Sequence, residues 1–445
     1  MCGSGDARFN VRRKMFVVGE KISLLNGRKV KVVKLLGQGG QGAVYDVEEN
    51  GRHYALKWYL PEYLKQIDQK KFYDNLKDNY KAGAPSSEFL WILALSPYKK
   101  GSFGYLMDLR QSRFSGFNQL LNARKKFSDI GKLLKAAKGI CFAFQKLHSK
   151  GYSYQDINDG NFFVDTDTGD VLICDNDNVA PYGVWMGMIG KDRYMAPEVV
   201  LGKKHPSMET DLYSLSVVLF MMFFISHPLE GAAVHSCPCL TTKYVRKLYA
   251  EKAVFVYDPT DKSNRPVMGI DKNVITLWNY YPEKIKNLFM RAFTDGLYKA
   301  SYRVRENEWI DCFEELENSI VVCPHCHNKD FYSESSSGEK TILCTDCGKK
   351  FMKPFIFRNK RLKKVLNIGD NVLEKDIGGR NDDPVAAVVE SKKHKGLLGL
   401  KNVSNWDMVA TIPDGKEITV GKGQVIPLFA GNIIKVNNQD IKIEF

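Results

Sequence analysis

The stretch YSYQDINDGNFFVDTDTGDVLICDND, residues 152–177, reads as two short acidic loops separated by strand-like runs. The first loop is Asp156-Ile157-Asn158-Asp159-Gly160-Asn161 and the second is Asp175-Asn176-Asp177. Between them, Asn161-Phe162-Phe163-Val164 and Asp170-Val171-Leu172-Ile173-Cys174 carry the apolar residues of two hairpin strands. Such a hairpin places Asp156, Asn161 and Asp175 at one end. An Asp, an Asn five residues later and a second Asp at a hairpin mouth suit phosphoryl transfer, with one carboxylate orienting a hydroxyl and two oxygen ligands holding magnesium. A pair of Asx-rich turns would use the same residue types, so the stretch needs support from the rest of the chain.

That support lies upstream. From Arg28 the chain reads as strand, Gly37-x-Gly39-x-x-Gly42 loop, then strand, with Glu49-Asn50-Gly51 as a turn. Because Ala43-Val44-Tyr45-Asp46-Val47 alternates like a strand, the loop does not open a helix as a dinucleotide fold requires. Its glycines would let backbone amides approach phosphates. In the next strand, Tyr54-Ala55-Leu56-Lys57-Trp58-Tyr59, an ammonium fifteen residues after Gly42 could pair with α and β phosphates, with Val44 and Ala55 lining adenine. Alone, Lys57 is equally an ordinary strand lysine. Residues 62–82 follow as a polar helix and 104–110 as a strand running into a connector.

This order resembles the eukaryotic-like protein kinase superfamily over about residues 17–320. Downstream, Arg193-Tyr194-Met195-Ala196-Pro197-Glu198 is similar to the kinase Ala-Pro-Glu element. Thr210-Asp211-Leu212-Tyr213 opens what looks like the buried large-lobe helix, and Arg303 stands where kinases place that glutamate's partner. The resemblance implies a small lobe at about 17–110 and a large lobe at 111–320. It makes Asp156 the catalytic base, Lys57 the phosphate anchor, and Asn161 and Asp175 the magnesium ligands. Asn158 joins the catalytic set at the position of the usual lysine. Gly37, Gly39, Gly42, Val44, Ala55 and Lys57 would hold ATP, Met107 would be the gatekeeper, and Asp108, Leu109 and Arg110 the hinge that reads adenine.

The departures are informative. Tyr154-Gln155 replaces the His-Arg that usually precedes the base, so no arginine there can grip a phosphorylated activation segment. From Asp175 to Glu198 there is no Ser or Thr, only Tyr182 and Tyr194. Both absences predict a segment ordered by packing of Val184, Trp185, Met186, Met188 and Ile189 rather than by phosphoserine or phosphothreonine. Asn158 removes a positive charge near the transferring phosphate. Asn176-Asp177 replaces Phe-Gly and makes Asp177 a rival metal ligand, Asp175 being preferred because it directly follows the strand. The helix partner of Lys57 is open among Asp74, Asn75 and Asp78.

At 445 residues the chain predicts two or three domains, and its composition is that of a soluble globular protein. The formal charge of +14 comes from scattered Lys and Arg without an aromatic-interleaved stripe, so nucleic-acid binding is not expected. Met1 to Gly19 lacks a signal-peptide pattern, and the apolar run Leu215 to Ile225 is too short to span a bilayer. These features and the cysteine usage predict a reducing, cytoplasmic location.

Four of the ten cysteines form Cys323-x-x-Cys326, seventeen residues, Cys344-x-x-Cys347, the pattern of a four-thiolate structural zinc ribbon over 321–352, with Ser335-Ser336-Ser337-Gly338 at a strand-pair tip. His325 and His327 read as bystanders, and His235-Ser236-Cys237-Pro238-Cys239 as a plain loop. Residues 355–445 read as short strands in a small all-β sandwich. Its second half is similar to forkhead-associated (FHA) phosphothreonine-binding domains, which implies phosphopeptide roles for Arg380, Asn402 and Ser404. The fold class expected is therefore α+β, a bilobal kinase-like fold followed by a zinc ribbon and an FHA-like sandwich. The whole resembles bacterial kinases of tellurite-resistance and stress operons, which implies a protein substrate, a cognate phosphatase and a von Willebrand A-type protein as partners, and ATP, Mg2+ and structural Zn2+ as cofactors. The expected activity is phosphorylation of protein Ser or Thr. A nucleotide-binding pseudokinase scaffold is the alternative, and a small-molecule kinase is the third reading.

Overall fold

The computed structural model describes residues 15–187, 190–239, 241–333, 339–394, 396–436 and 439–445. The expectations for Met188, Ile189 and the Ser335–Gly338 tip lie outside these residues.

The first lobe is a six-stranded antiparallel sheet of β1 (Lys21–Ser23), β2 (Lys29–Gln38), β3 (Gly42–Glu49), β4 (Arg52–Tyr59), β5 (Ala94–Leu95) and β6 (Gly104–Asp108), in the order β1-β2-β3-β4-β6-β5. Asn50 and Gly51 join β3 to β4 with φ of 52° and 80°, the two-residue turn whose twist matches an antiparallel hairpin. Gly42 needs its missing side chain for a different reason: a Cβ there would lie 2.6 Å from the Trp58 carbonyl oxygen on β4. Strand packing therefore requires glycine at 42, whereas Cβ positions at Gly37 and Gly39 face open space.

The helix expected over 62–82 is two helices, α1 (Pro61–Leu64) and α2 (Gln69–Ala82). Pro61 starts the first. Asp68 interrupts, because its side chain accepts from the Lys71 amide at 3.1 Å and so begins a new helix instead of continuing the old one. From α2, Phe72, Tyr73, Leu76 and Asn79 face the core at helical spacing.

The second lobe is helical. Here α3 (Phe117–Leu121) precedes α4 (Ile130–Ser149), capped by Asp129, which buries Leu134, Ala137, Ile140, Cys141 and Phe144. A small sheet, β7 (Ser115–Gly116), β9 (Phe162–Val164) and β10 (Val171–Ile173), contains the hairpin expected from the sequence, with Val164 paired to Val171. The chain enters it through β8 (Tyr152–Ser153), which pairs with β11 (Ala180–Pro181). After α5 (Pro197–Val200), helix α6 (Met208–Phe224) starts at a reciprocal Ser207–Thr210 cap and is apolar on all sides from Val217 onward, as a helix at the centre of a lobe must be. No helix of the described residues is long and apolar enough to cross a membrane.

Beyond helix Glu306–Asn318, two hairpins, Ile320–Val322 with Lys329–Phe331 and Thr341–Leu343 with Lys350–Met352, carry the four cysteines. They lead into a sandwich of one six-stranded and one four-stranded antiparallel sheet around Phe357, Leu400, Ala410, Ile434 and Ile443. Val321 and Tyr332 pack against Ile356 and Val365, so hairpin and sandwich share an apolar seam. Asn367 ties the same seam by accepting from the Val322 amide at 2.8 Å and donating to the Ile320 carbonyl at 2.9 Å.

One buried ion pair holds the second lobe's end to its centre. Arg303, 3% exposed, donates to Glu198 Oε2 and to the Glu209 carbonyl, each at 2.8 Å, as its sequence position predicts. Truncating it leaves the half-buried Glu198 carboxylate without its partner. The Arg303→Ala protein is expected to lose about 3–5 kcal/mol from the kinase-lobe unfolding transition in a denaturant titration; a loss under about 1 kcal/mol would show the pair to be inconsequential.

Candidate active site

The cleft between the lobes is built on a catalytic loop suspended from α6. Asp211 accepts from the Tyr154 amide at 2.6 Å and from the Gln155 amide at 3.1 Å, which fixes the loop two residues before Asp156. His148 of α4 sits between Asp211 (3.2 Å) and Glu306, with which it also bonds. Burial alone would lower this imidazole's pKa, but the two carboxylates raise it to about 9, so it is a fixed cation at neutral pH. No sequence motif marks this group, because its three members are brought together only by helix packing.

Asp156 lies where the sequence placed it. Asn161 donates from its side-chain amide to the Asp156 carbonyl at 2.8 Å, so the base and the amide five residues on are locked together. Asn158 turns inward: it is 3% exposed, donates to Asp156 Oδ1 at 3.0 Å and accepts from the Gly160 amide at 3.0 Å. Its expected catalytic role is therefore corrected to holding the base. Burial pushes the Asp156 carboxyl up to about 6, with the Asn158 bond opposing and the Asp175 and Asp177 charges adding.

Lys57 shows what became of the missing helix partner. Its side chain is 5% exposed, and it reaches Asp177 Oδ2 at 2.8 Å, Gln41 Oε1 at 3.2 Å and Asp175 Oδ1 at 3.3 Å. Tyr59 donates to the same Asp177 oxygen at 2.6 Å. None of the three α2 candidates is its partner: Asp74 pairs with Lys70, Asp78 with Lys81, and Asn75 donates to the Val179 carbonyl. Burial alone would lower the lysine's pKa, but the Asp175 and Asp177 charges raise it. An acidic residue where glycine is usual, beside a helix without glutamate, was the available sequence signal for this pairing.

The two rival metal ligands are thereby separated. Asp177 is fully buried and spends one oxygen on Lys57 and Tyr59, its other oxygen having no partner among the described residues. Asp175, at φ 55°, keeps 40% of its side chain exposed at the strand end. The Asn161 amide nitrogen is taken by Asp156, which turns its oxygen away and leaves it fit for a cation. Asn161 and Asp175 would hold magnesium, which when bound supplies charge neutralisation on the phosphates.

Ala55 pairs with Met107 across β4 and β6, both buried, and Val44 is partly buried against the same core. Asp108 turns its side chain to Arg52 at 2.9 Å, and Leu109 packs partly buried against the core. Farther away, Cys323 and Cys347 sulfurs are 3.8 Å apart and Cys326 and Cys344 sulfurs 3.6 Å. Four thiolates at about 2.3 Å around tetrahedral zinc lie about 3.8 Å apart, so the donor set fits that ion. In each knuckle the chain bends at a positive φ four residues after the first cysteine, at His327 (60°) and Gly348 (69°). Asn402 and Ser404 do not fit the phosphopeptide reading: Asn402 is fully buried, donates to the Trp406 and Val420 carbonyls and accepts from Ser404, so both close a loop. Arg380 is exposed on the neighbouring turn.

A strand lobe over a helical lobe, with lysine, base loop and metal loop meeting between them, is a kinase-like fold. Residues 30–277 match the protein kinase domain, more than half of the chain, and the chain belongs to the protein kinase family. It is similar to the DNA damage-responsive serine/threonine-protein kinase RqkA of Deinococcus radiodurans, 29% identical over 217 residues, 47% of this chain and 31% of that protein. It is also similar to protein kinase YegI of Escherichia coli, 23% identical over 323 residues, 68% of this chain and 47% of that protein. The chain thus spans less than half the length of these curated relatives. The solved kinase domain of Mycobacterium tuberculosis PknI superposes with a TM-score of 0.44 at 18% identity, over 68% of this chain and 99% of that one.

The raised Asp156 pKa gives a pH profile. Below about 6 the carboxyl is protonated in the free protein and cannot take a hydroxyl proton, so kcat/KM is expected to rise with pH through about 6 and then level. Asn158→Ala, which removes a donor to the ionised carboxylate, should move that limb to higher pH. A limb that stays near 4 in both proteins would contradict the burial argument.

Proposed function

We propose that the chain is an ATP- and magnesium-dependent protein kinase acting on Ser or Thr. The observation that carries the reading is the convergence of Lys57, Asp156, Asn161 and Asp175, each with its own support, at one cleft. Asp156 orients the acceptor hydroxyl and takes its proton, while Lys57 grips the nonreacting phosphates. Catalysis of a loose phosphoryl transfer is then mainly positioning and charge neutralisation. The Lys57–Asp177 contact supports this reading over a nucleotide-binding scaffold, since it supplies the anchor that the helix lacks. With labelled ATP and cell extract, the wild-type chain is expected to transfer phosphate to protein Ser or Thr and Asp156→Asn to lose roughly 10²-fold or more; equal signals would remove Asp156 as the base.

The same reading extends to activation. Gln155, held at φ 72°, donates to the Val184 carbonyl at 2.6 Å and to Ser153 Oγ at 3.1 Å, bonding the segment's backbone where an arginine would await a phosphate. Lys71 of α2 donates to the Trp185 carbonyl at 3.0 Å, Trp185 stacks on His205 at 4.1 Å, and Met186 is buried. These contacts support a segment ordered without phosphorylation. Mass spectrometry of fully active protein is expected to find no required phosphate within 176–197.

The cysteine hairpins are proposed to hold structural zinc, and the FHA-like sandwich to act in docking. A cytoplasmic signalling role with a cognate phosphatase and a von Willebrand A-type protein rests on the sequence resemblance alone. Metal analysis of chain purified without chelator should give about one zinc per chain, and Cys326→Ser should release it and lower the melting temperature of the C-terminal region. Metal-free wild type with unchanged melting would rule zinc out.

A further inference from the structure

The activation segment crosses the catalytic loop at Gly190-Lys191. A Cβ on Gly190 would lie 3.0 Å from Asp156 Oδ1, so this backbone runs against the base itself. The next residue sends its ammonium over the catalytic loop. Lys191 Nζ donates to Asp159 Oδ1 at 3.1 Å and lies 3.6 Å from where a Cβ on Gly160 would stand. Its charge acts on Asp156 and opposes the effect of burial there.

The other nearby cations are committed elsewhere. Lys57 is sealed between Asp177 and Asp175, and Arg193 faces away in a bidentate pair with Glu230. Asn158, which stands in place of a lysine, is neutral and turned inward onto Asp156. Lys191 keeps 57% of its side chain exposed and rests on an acidic neighbour that a rotation would release. A phosphoryl group in transfer carries charge on its equatorial oxygens beside a carboxylate base, and a site without a cation there would set two negative groups against each other.

We propose that Lys191 is a catalytic residue, supplying from the activation segment the cation at the transferring phosphoryl group that the catalytic loop lacks at Asn158. The inference rests on the kinase reading above. In the step, the bond from the γ-phosphorus to the β–γ bridging oxygen breaks and one from the acceptor hydroxyl oxygen forms. The hydroxyl proton passes to Asp156, ADP leaves with the bridging oxygen, and Lys191 bonds a γ-oxygen throughout. An ordered segment thereby becomes a requirement for chemistry as well as for substrate docking, because it carries part of the charge.

The test uses the full chain, magnesium, γ-labelled ATP and a degenerate Ser/Thr peptide library. Lys191→Ala is expected to lower kcat by about 10²-fold with KM for ATP nearly unchanged. The deciding arm places Lys191→Ala in an Asn158→Lys background: measured against Asn158→Lys alone, so that the lost Asn158 support of Asp156 cancels, removing Lys191 should then cost little, which would not follow if Lys191→Ala merely disturbed the segment. Melting temperatures of the variants identify any that misfold, and for those Lys191→Met replaces alanine. Wild-type kcat in Lys191→Ala, or a loss that Asn158→Lys does not relieve, overturns the assignment and leaves the kinase reading standing. Absence of transfer by the wild type overturns both.

Discussion

A lysine ammonium buried between two sheets of side chains has to be paired, and in this protein the pairing of Lys57 with Asp177 constrains the whole cleft. An unpaired charge at that depth would cost several kcal/mol. The pair is made across the lobes, from β4 to the loop after β10, and Tyr59 adds a second donor to the same carboxylate oxygen. Small lobe and metal loop are therefore fastened to each other directly. Helix α2 is left with other tasks: Asn75 and Asn79 both donate to the Val179 carbonyl, each at 2.8 Å, and Lys71 holds the activation segment. In this arrangement the lysine's position does not depend on the placement of a helix glutamate.

The same economy of support appears under the catalytic loop. Asp211 holds two successive loop amides, and the charged His148 holds Asp211, with Glu306 from the last helix of the lobe completing the chain. Positive φ at Gln155 and Asp175 marks the two places where the backbone is bent out of its easy conformations to aim the loops. Such strain persists because surrounding bonds over-determine it. Gln155 shows the cost, since its amide nitrogen is used twice while its buried oxygen has no partner among the described residues. A neutral amide in that place binds the Val184 carbonyl.

Much of this was legible along the chain. The hairpin of 162–173, the glycine loop, Arg303 with Glu198 and the paired cysteines each depend on short-range spacing or on residue types whose chemistry has few uses. Other expectations failed for local reasons that spacing does not show. Asp68 caps a new helix within the expected one, and Asn158, Asn402 and Ser404 spend their polar groups on their own loops.

By itself the sequence determined the order of elements and the residue types at the cleft, because strand alternation, turn glycines and ligand spacing are properties of neighbouring residues. Tertiary structure decided which carboxylate would serve Lys57 and brought Lys191 of the activation segment over the catalytic loop. The first of these depends on desolvation and on a contact between residues far apart in the chain, 120 positions separating Lys57 from Asp177. Burial made one aspartate the partner of Lys57 and left its neighbour two residues away 40% exposed, a difference no local pattern encodes.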